Sequence, residues 1–289
     1  MATLKNTTVS DTSGVAVASG STAARPTPAA GMVRLNTSVS PPQLESYVSG
    51  TTPAWDSVAG IVSSNLVFNM DANNYSGTGS TWTDSTANAI VMNAQGTQTP
   101  FVTLNGAKCF QFNSSGWWAS SVADGQKFYM GNGATLEIWM YYQGIQSRHN
   151  IFEKNGNSYA SYQQELACTL EYGYPGNMSY YRKGGQTGTY DYANCDNLIM
   201  NQWNHLCVML EPGAAGMGYS IFNLAPRNYG YGLRDANNLP LASNEIRIGN
   251  GYTGIMDRGY VAIVRVYTKV LSDAEVFQNY QALRGRFGV

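Results

Sequence analysis

Apolar residues recur at every second position through much of this chain, in short runs separated by Gly, Asn, Pro and Ser. Lys108-Cys-Phe-Gln-Phe112 and Thr135-Leu-Glu-Ile-Trp-Met-Tyr141 show the alternation most clearly. A strand with one buried face needs this period of two, because successive side chains leave opposite faces. Further strand-like runs occupy Leu66–Met70, Asn150–Glu153, Leu166–Leu170, Met178–Tyr181, Trp203–Leu210, Tyr219–Phe222 and Glu245–Gly249. The last, Gly259–Tyr267, is apolar or β-branched except at Arg265. It leads into a helical segment. Ser272 precedes Glu275 by three residues, the spacing of a capping box, and Val276, Tyr280 and Leu283 follow at helical intervals. Gly285 and Gly288 are expected to stop that helix. The elements together predict an all-β fold: an antiparallel two-sheet sandwich closed by a short C-terminal helix.

Residues 1–60 follow a different grammar. Ser, Thr, Ala and Pro dominate, and Ala24-Arg-Pro-Thr-Pro-Ala-Ala-Gly31 forms a stiff, turn-prone joint. Gly31–Thr37 and Gln43–Ser49 read as two short strands around Pro41-Pro42, a small hairpin followed by Trp55. Such a segment buries too little apolar area to hold a fold alone. The expectation is an extended N-terminal arm with a small hairpin over 1–60, which gains order by docking on a partner, and a β-sandwich over 61–289. No repeat of 20–50 residues is visible, which argues against propellers and solenoids.

Composition removes several classes of function. Charged residues are 12% of the chain, against roughly a quarter in ordinary soluble domains. With a net charge of −1, nothing builds the positive field that a nucleic-acid binder needs. No apolar run approaches the ~20 residues of a membrane span. Met1-Ala-Thr-Leu-Lys5 lacks the apolar core of a signal peptide, so assembly in a cytoplasm is expected. Cys109, Cys168, Cys195 and Cys207 are too far apart in sequence for a metal motif. Cys109 and Cys207 read as small buried hydrophobes, and whether Cys168 and Cys195 pair is left open.

Residues 65–288 resemble the laminin-G or concanavalin-A-like jelly-roll domains of many viral and bacterial surface proteins. The resemblance is carried by Asn73-Asn-Tyr-Ser-Gly-Thr-Gly-Ser-Thr-Trp-Thr-Asp84, Thr135–Met140, Gln202-Trp-Asn-His-Leu206 and the closing strand and helix. Gly20–Thr37, followed by Leu44-Glu-Ser-Tyr47 and Trp55, is similar to a module of tailed-phage structural proteins, above all tail fibres. The two resemblances imply a virion component, assembled in the host cytoplasm. It would be anchored to other virion proteins through residues 1–60, trimeric as phage fibres are, and displaying a lectin-like domain to a host-surface glycan. A capsid decoration protein would use the same two parts. A glycan-cleaving tailspike is the rival from another class.

The candidate chemistry is sparse. Concanavalin-like enzymes cut polysaccharides with carboxylates two and four apart on one strand, but Leu136–Tyr142 offers only Glu137. Glycoside hydrolysis needs two carboxyl groups, so no catalytic residue is assigned. Glu137 reads as an outward-facing position beside buried Leu136 and Ile138, and His205 reads as structural. Laminin-G-like domains hold calcium at the rim through a carboxylate and loop carbonyls. Asp71, Asp84, Asp124 and Asp257 border turns, but a turn role suffices for each and no metal is assigned. The clearest binding clue is a crowd of tyrosines among Gly, Asn and Ser: Tyr172, Tyr174, Tyr180, Tyr181, Tyr190 and Tyr192. Tyrosine offers a large amphipathic face at low entropic cost, which suits recognition. Packing against the sheet or a neighbouring subunit is the competing role. Of Trp117 and Trp118, one is expected to point inward if both lie on a strand.

Overall fold

In the computed structural model the alternating runs pair into two antiparallel sheets, and their apolar positions meet between them. The structure describes residues 19–21, 23, 33–37, 43–48, 54–57, 60–130, 132–144, 146–154, 166–170, 178–182, 191–195, 198–211, 218–223, 228–229, 245–251 and 254–289. The chain divides into two compact units, residues 1–61 and 62–289.

In the first unit, β1 (Ser19–Gly20), β2 (Val33–Asn36), β3 (Gln43–Val48) and β4 (Ala54–Ser57) form one four-stranded sheet in chain order. The expected hairpin is the β2–β3 pair, with Val33 opposite Ser46. It is larger than expected: β1 adds in parallel beside β2, and β4 sets Trp55 opposite Tyr47.

In the second unit, sheet I runs β15 (Asp191–Cys195), β14 (Met178–Arg182), β13 (Leu166–Leu170), β12 (His149–Lys154), β19 (Ile246–Ile248), β10 (Gly116–Ser120), β7 (Val91–Gly96) and β6 (Thr81–Thr83). Sheet II runs β18 (Asn228–Tyr229), β17 (Gly218–Phe222), β16 (Gln202–Leu210), β11 (Ala134–Tyr142), β20 (Gly259–Tyr267), β9 (Ala107–Phe112) and β8 (Phe101–Leu104). β5 (Leu66–Asp71) also pairs with β20. The core lies between the sheets. Ala94, Trp118, Ile248, Phe152 and Cys168 stand in one register row across sheet I. They pack toward Leu136, Ile138, Val264, Val266 and Phe68 of sheet II. Trp82, Phe110 and Trp118 lock one corner, with ring centroids 4.7–5.8 Å apart. As expected, Trp118 is the inward member of its pair, and Trp117 is half-buried on the other face.

Cys109, Cys168 and Cys207 are buried thiols outside any disulfide. Burial pushes the Cys109 thiol up to about 12. Cys168 and Cys195 sit on β13 and β15, with β14 between them. Two strand spacings, roughly 9.6 Å, exceed the ~7 Å reach of a disulfide. The pairing left open by the sequence is therefore ruled out by the ladder.

A strand in sheet II has two apolar demands, because its outward face is covered too. α1 is a single turn at Val122–Gly125, and α2 (Asp273–Phe287) lies over β11, β16 and β20. Ser272 and Glu275 close the predicted capping box in both directions. The helix runs through Gly285 and ends at Gly288, whose φ of 68° suits a left-handed cap. The expected stop at Gly285 fails because Phe287 stacks on Trp139 at 4.2 Å, offsetting the roughly 1 kcal/mol cost of a helical glycine.

Beneath α2 sits a buried charge network. Glu137 does face away from the sandwich core, yet it is fully buried rather than solvated. His205 Nε2 lies 3.0 Å from its Oε1, and Arg265 Nη1 lies 3.5 Å away. Asn279 Nδ2 donates to Oε2 at 2.8 Å, and the Tyr267 hydroxyl donates at 3.3 Å. Burial alone would raise the Glu137 carboxyl, but Arg265, His205 and Tyr267 outweigh it and hold the group below the usual glutamate range. Burial and the Glu137 charge drive the Tyr267 hydroxyl strongly upward.

Removing one member of such a network strands the others. Glu137→Ala should cost about 3–5 kcal/mol of stability in urea unfolding at neutral pH. Because the folded state depresses this carboxyl, its stabilisation is complete above about pH 4.3 and is lost as pH falls through the folded value. Wild type should therefore lose stability on acidification below that point faster than Glu137→Gln. Parallel losses would remove Glu137 from the account.

Candidate functional site

The face of sheet I turned away from the core is open at one end only: Thr81 and Asn93 are exposed, whereas Ala119, Glu153 and Ala167 are buried. Reading across its ladder on the side away from the core, Thr81 stands opposite Asn93, Asn93 opposite Ala119, and Ala119 opposite Arg247. The row continues through Glu153 and Ala167 to Tyr181 and Tyr192. β14 and β15 thus bring Tyr181 and Tyr192 into one register pair at the sheet edge, whereas Tyr180 is in register with Cys168, on the core row. Tyr172, Tyr174 and Tyr190 lie outside the described residues.

The four turn aspartates occupy four separate turns. Asp71 accepts both bonds of Arg286 Nη1 at 2.7 and 2.8 Å and caps the 3-10 turn at Ala72–Asn74. Asp84 accepts from the Asn69 and Thr86 amides at 2.7 and 2.9 Å. Asp124 pairs with Lys127 at 2.6 Å. Asp257 Oδ2 holds the Gln146 and Ser147 amides at 2.8 and 3.2 Å. Each carboxylate does what a turn residue does. Among the described residues no three His, Cys, Asp or Glu side chains gather as a metal site.

Two pairings escaped the sequence. His149 is fully buried with Nδ1 3.8 Å from Asp257 Oδ1. Burial pulls its pKa down; Asp257 and the Ser147 backbone oppose this only in part, so the imidazole is held neutral at physiological pH. Asn150 Nδ2 donates to Glu153 Oε2 at 2.8 Å, both side chains being buried. Strict alternation would put residues three apart on opposite faces. The ladder slips between Asn150 and Phe152, and this bulge places Asn150 and Glu153 together. Gly251 presses on the pair so closely that a Cβ there would lie 2.1 Å from Glu153 Oε2. No local sequence signal announces either arrangement. The two histidines take structural positions: His205 belongs to the Glu137 network, and His149 to the turn that Asp257 closes.

The binding domain of botulinum neurotoxin DC, solved in complex with rat synaptotagmin II, superimposes with a TM-score of 0.57 at 11% identity. The match covers 75% of this chain and 52% of that one. A type C neurotoxin structure, described by cell entry dependent on two ganglioside molecules, gives 0.56 at 12% identity over 75% and 51% of the two chains. This chain therefore spans about half the length of the toxin domains it matches. Domain 4 of a GH43 extracellular arabinanase from Geobacillus stearothermophilus, in complex with arabinotriose, gives 0.54 at 13% identity over 75% and 98%. At these identities what is shared is the fold. No curated protein matches the chain in sequence. The family model for concanavalin A-like lectin/glucanase domains of the laminin-G type matches residues 118–277, from β10 into α2. With more than half of its residues matched, the chain belongs to the concanavalin A-like lectin/glucanases superfamily.

Proposed function

We propose that this protein is a non-enzymatic structural component of a tailed-phage virion, mounted through residues 1–60 and presenting its lectin-like sandwich to a host-surface glycan. The observation that carries this reading is the union of a lectin-like sandwich with a separate small sheet of contrasting composition. The fold-level likeness to domains solved with arabinotriose, or described by ganglioside dependence, supports glycan recognition. The Tyr181–Tyr192 register pair supplies aromatic residues at the edge of sheet I. The phage setting rests on the tail-fibre-like residues Gly20–Thr37, Leu44–Tyr47 and Trp55. The non-enzymatic reading is supported by Glu137: the carboxylate on the strand suited to catalysis is sealed beneath α2 and held ionised by structural partners.

Two experiments test the two halves of the proposal. Deleting residues 1–60 should abolish incorporation into particles while residues 61–289 remain folded by circular dichroism; retained incorporation would refute the mount. Tyr181→Ala and Tyr192→Ala should each weaken retention on immobilised host polysaccharide by roughly 1–3 kcal/mol, the range of an aromatic hot spot. Unchanged retention in both variants would move recognition away from this edge.

A further inference from the structure

We infer that the outward face of β6, β7 and β10 is a subsite for a neutral saccharide, with the Trp117 indole as its stacking platform. The inference rests on the glycan reading above and assigns it a second, chemically defined place on sheet I.

Trp117 is half-buried on the face opposite the core, so its indole is supported by the sheet while part of it meets solvent. It stands directly opposite Gln95 on β7. The next residue, Gly96, has a φ of +66°, and a Cβ there would lie 2.4 Å from the Ser115 carbonyl oxygen and 3.2 Å from the indole, so glycine lets the backbone close in beside the ring. Two residues along β7 from Gln95, Asn93 stands between Thr81 on β6 and Ala119 on β10. Thr83 completes the outward positions of β6. Among the described residues β6 is the last strand of its sheet, and no further strand pairs with it on this side.

The polar side chains here are idle. Among the described residues, those of Thr81, Thr83, Asn93 and Gln95 form no hydrogen bond within the protein. Nearby amides behave differently. Asn69 bonds Ser85 and Arg265, Asn88 bonds the Val67 carbonyl, and Gln98 bonds the Tyr75 hydroxyl. Strand geometry spaces the idle groups at about 5 Å across the ladder and about 7 Å along β7. That is the scale of a sugar ring. An amide both donates and accepts, as does a sugar hydroxyl, and the indole face accommodates the C–H face of the ring.

Charge selects the class of sugar. Thr81, Thr83, Asn93, Gln95 and Trp117 are all uncharged. The neighbouring cation, Arg247 opposite Ala119, is engaged by Glu245 at 3.0 Å. The face therefore fits a neutral oligosaccharide rather than a sialylated or uronic one.

Calorimetric titration of the full chain with arabinotriose, xylotriose, mannotriose and a sialylated trisaccharide tests the inference. Wild type should bind at least one neutral trisaccharide and prefer it to the sialylated one. Trp117→Ala should lower that affinity tenfold or more, Trp117→Phe should keep part of it, and Gln95→Ala should lower it several-fold. Phe277→Ser, on the exposed side of α2 over sheet II, should leave it unchanged. Far-ultraviolet circular dichroism should match wild type in every variant, because Trp118 and not Trp117 builds the core. Trisaccharide binding that survives both Trp117→Ala and Gln95→Ala would overturn the subsite while leaving the glycan reading intact. Preference for the sialylated sugar would overturn the neutral assignment. Failure to bind any trisaccharide would overturn the subsite, and the polysaccharide retention assay would then decide the glycan reading on its own.

Discussion

Asn279 is the point on which the second unit closes. Its Oδ1 accepts the Val62 amide at 2.7 Å, and its Nδ2 donates to Glu137 and to the Tyr267 hydroxyl at 2.8 and 2.9 Å. One side chain thus ties the first residue of the sandwich unit to the helix, to β11 and to β20. A charge taken from water must be paired and hydrogen-bonded or it destabilises the fold. Glu137 meets that condition only with α2 in place, since Asn279 comes from the helix while Arg265 and His205 come from the strands either side. The apolar contacts of Trp139, Tyr280 and Phe287 then seal the surface around the network.

This closure makes the two sheets unequal. Both faces of β16 and β20 are buried, which is why Trp203–Leu210 and Gly259–Tyr267 are apolar almost throughout and not alternating. Sheet I keeps exposed polar residues at its β6–β7 end, Thr81 and Asn93, while Glu153 farther along the same row is buried against Asn150. Surface chemistry suited to a ligand is therefore found on sheet I, and the buried ionisable cluster under α2 is structural.

Where the fold depends on local pattern, the sequence was legible. Leu166–Leu170 and Gly259–Tyr267 appear with their predicted ends, and the capping box at Ser272 forms as its spacing required. β6, β7 and β10 were not recognised as strands. Val-Met-Asn-Ala-Gln-Gly has one β-branched residue, β6 is three residues long, and β10 opens on glycine. Tertiary pairing supplies what their propensity lacks. The period of two placed Glu137 outward but could not reveal its cover, because Asn279 is 142 residues away in sequence. The Asn150–Glu153 pair was hidden by a bulge that breaks the period itself. Of the tyrosine clue, the backbone ladder keeps Tyr181 and Tyr192 together, a relation that no spacing in the sequence could state.

Amide hydrogen exchange on the full chain, with and without a bound neutral oligosaccharide, addresses the inequality of the sheets directly. The account predicts added protection in β6, β7 and β10, with α2 and β20 unchanged. Protection centred on α2 and β20, with sheet I unaffected, would contradict it.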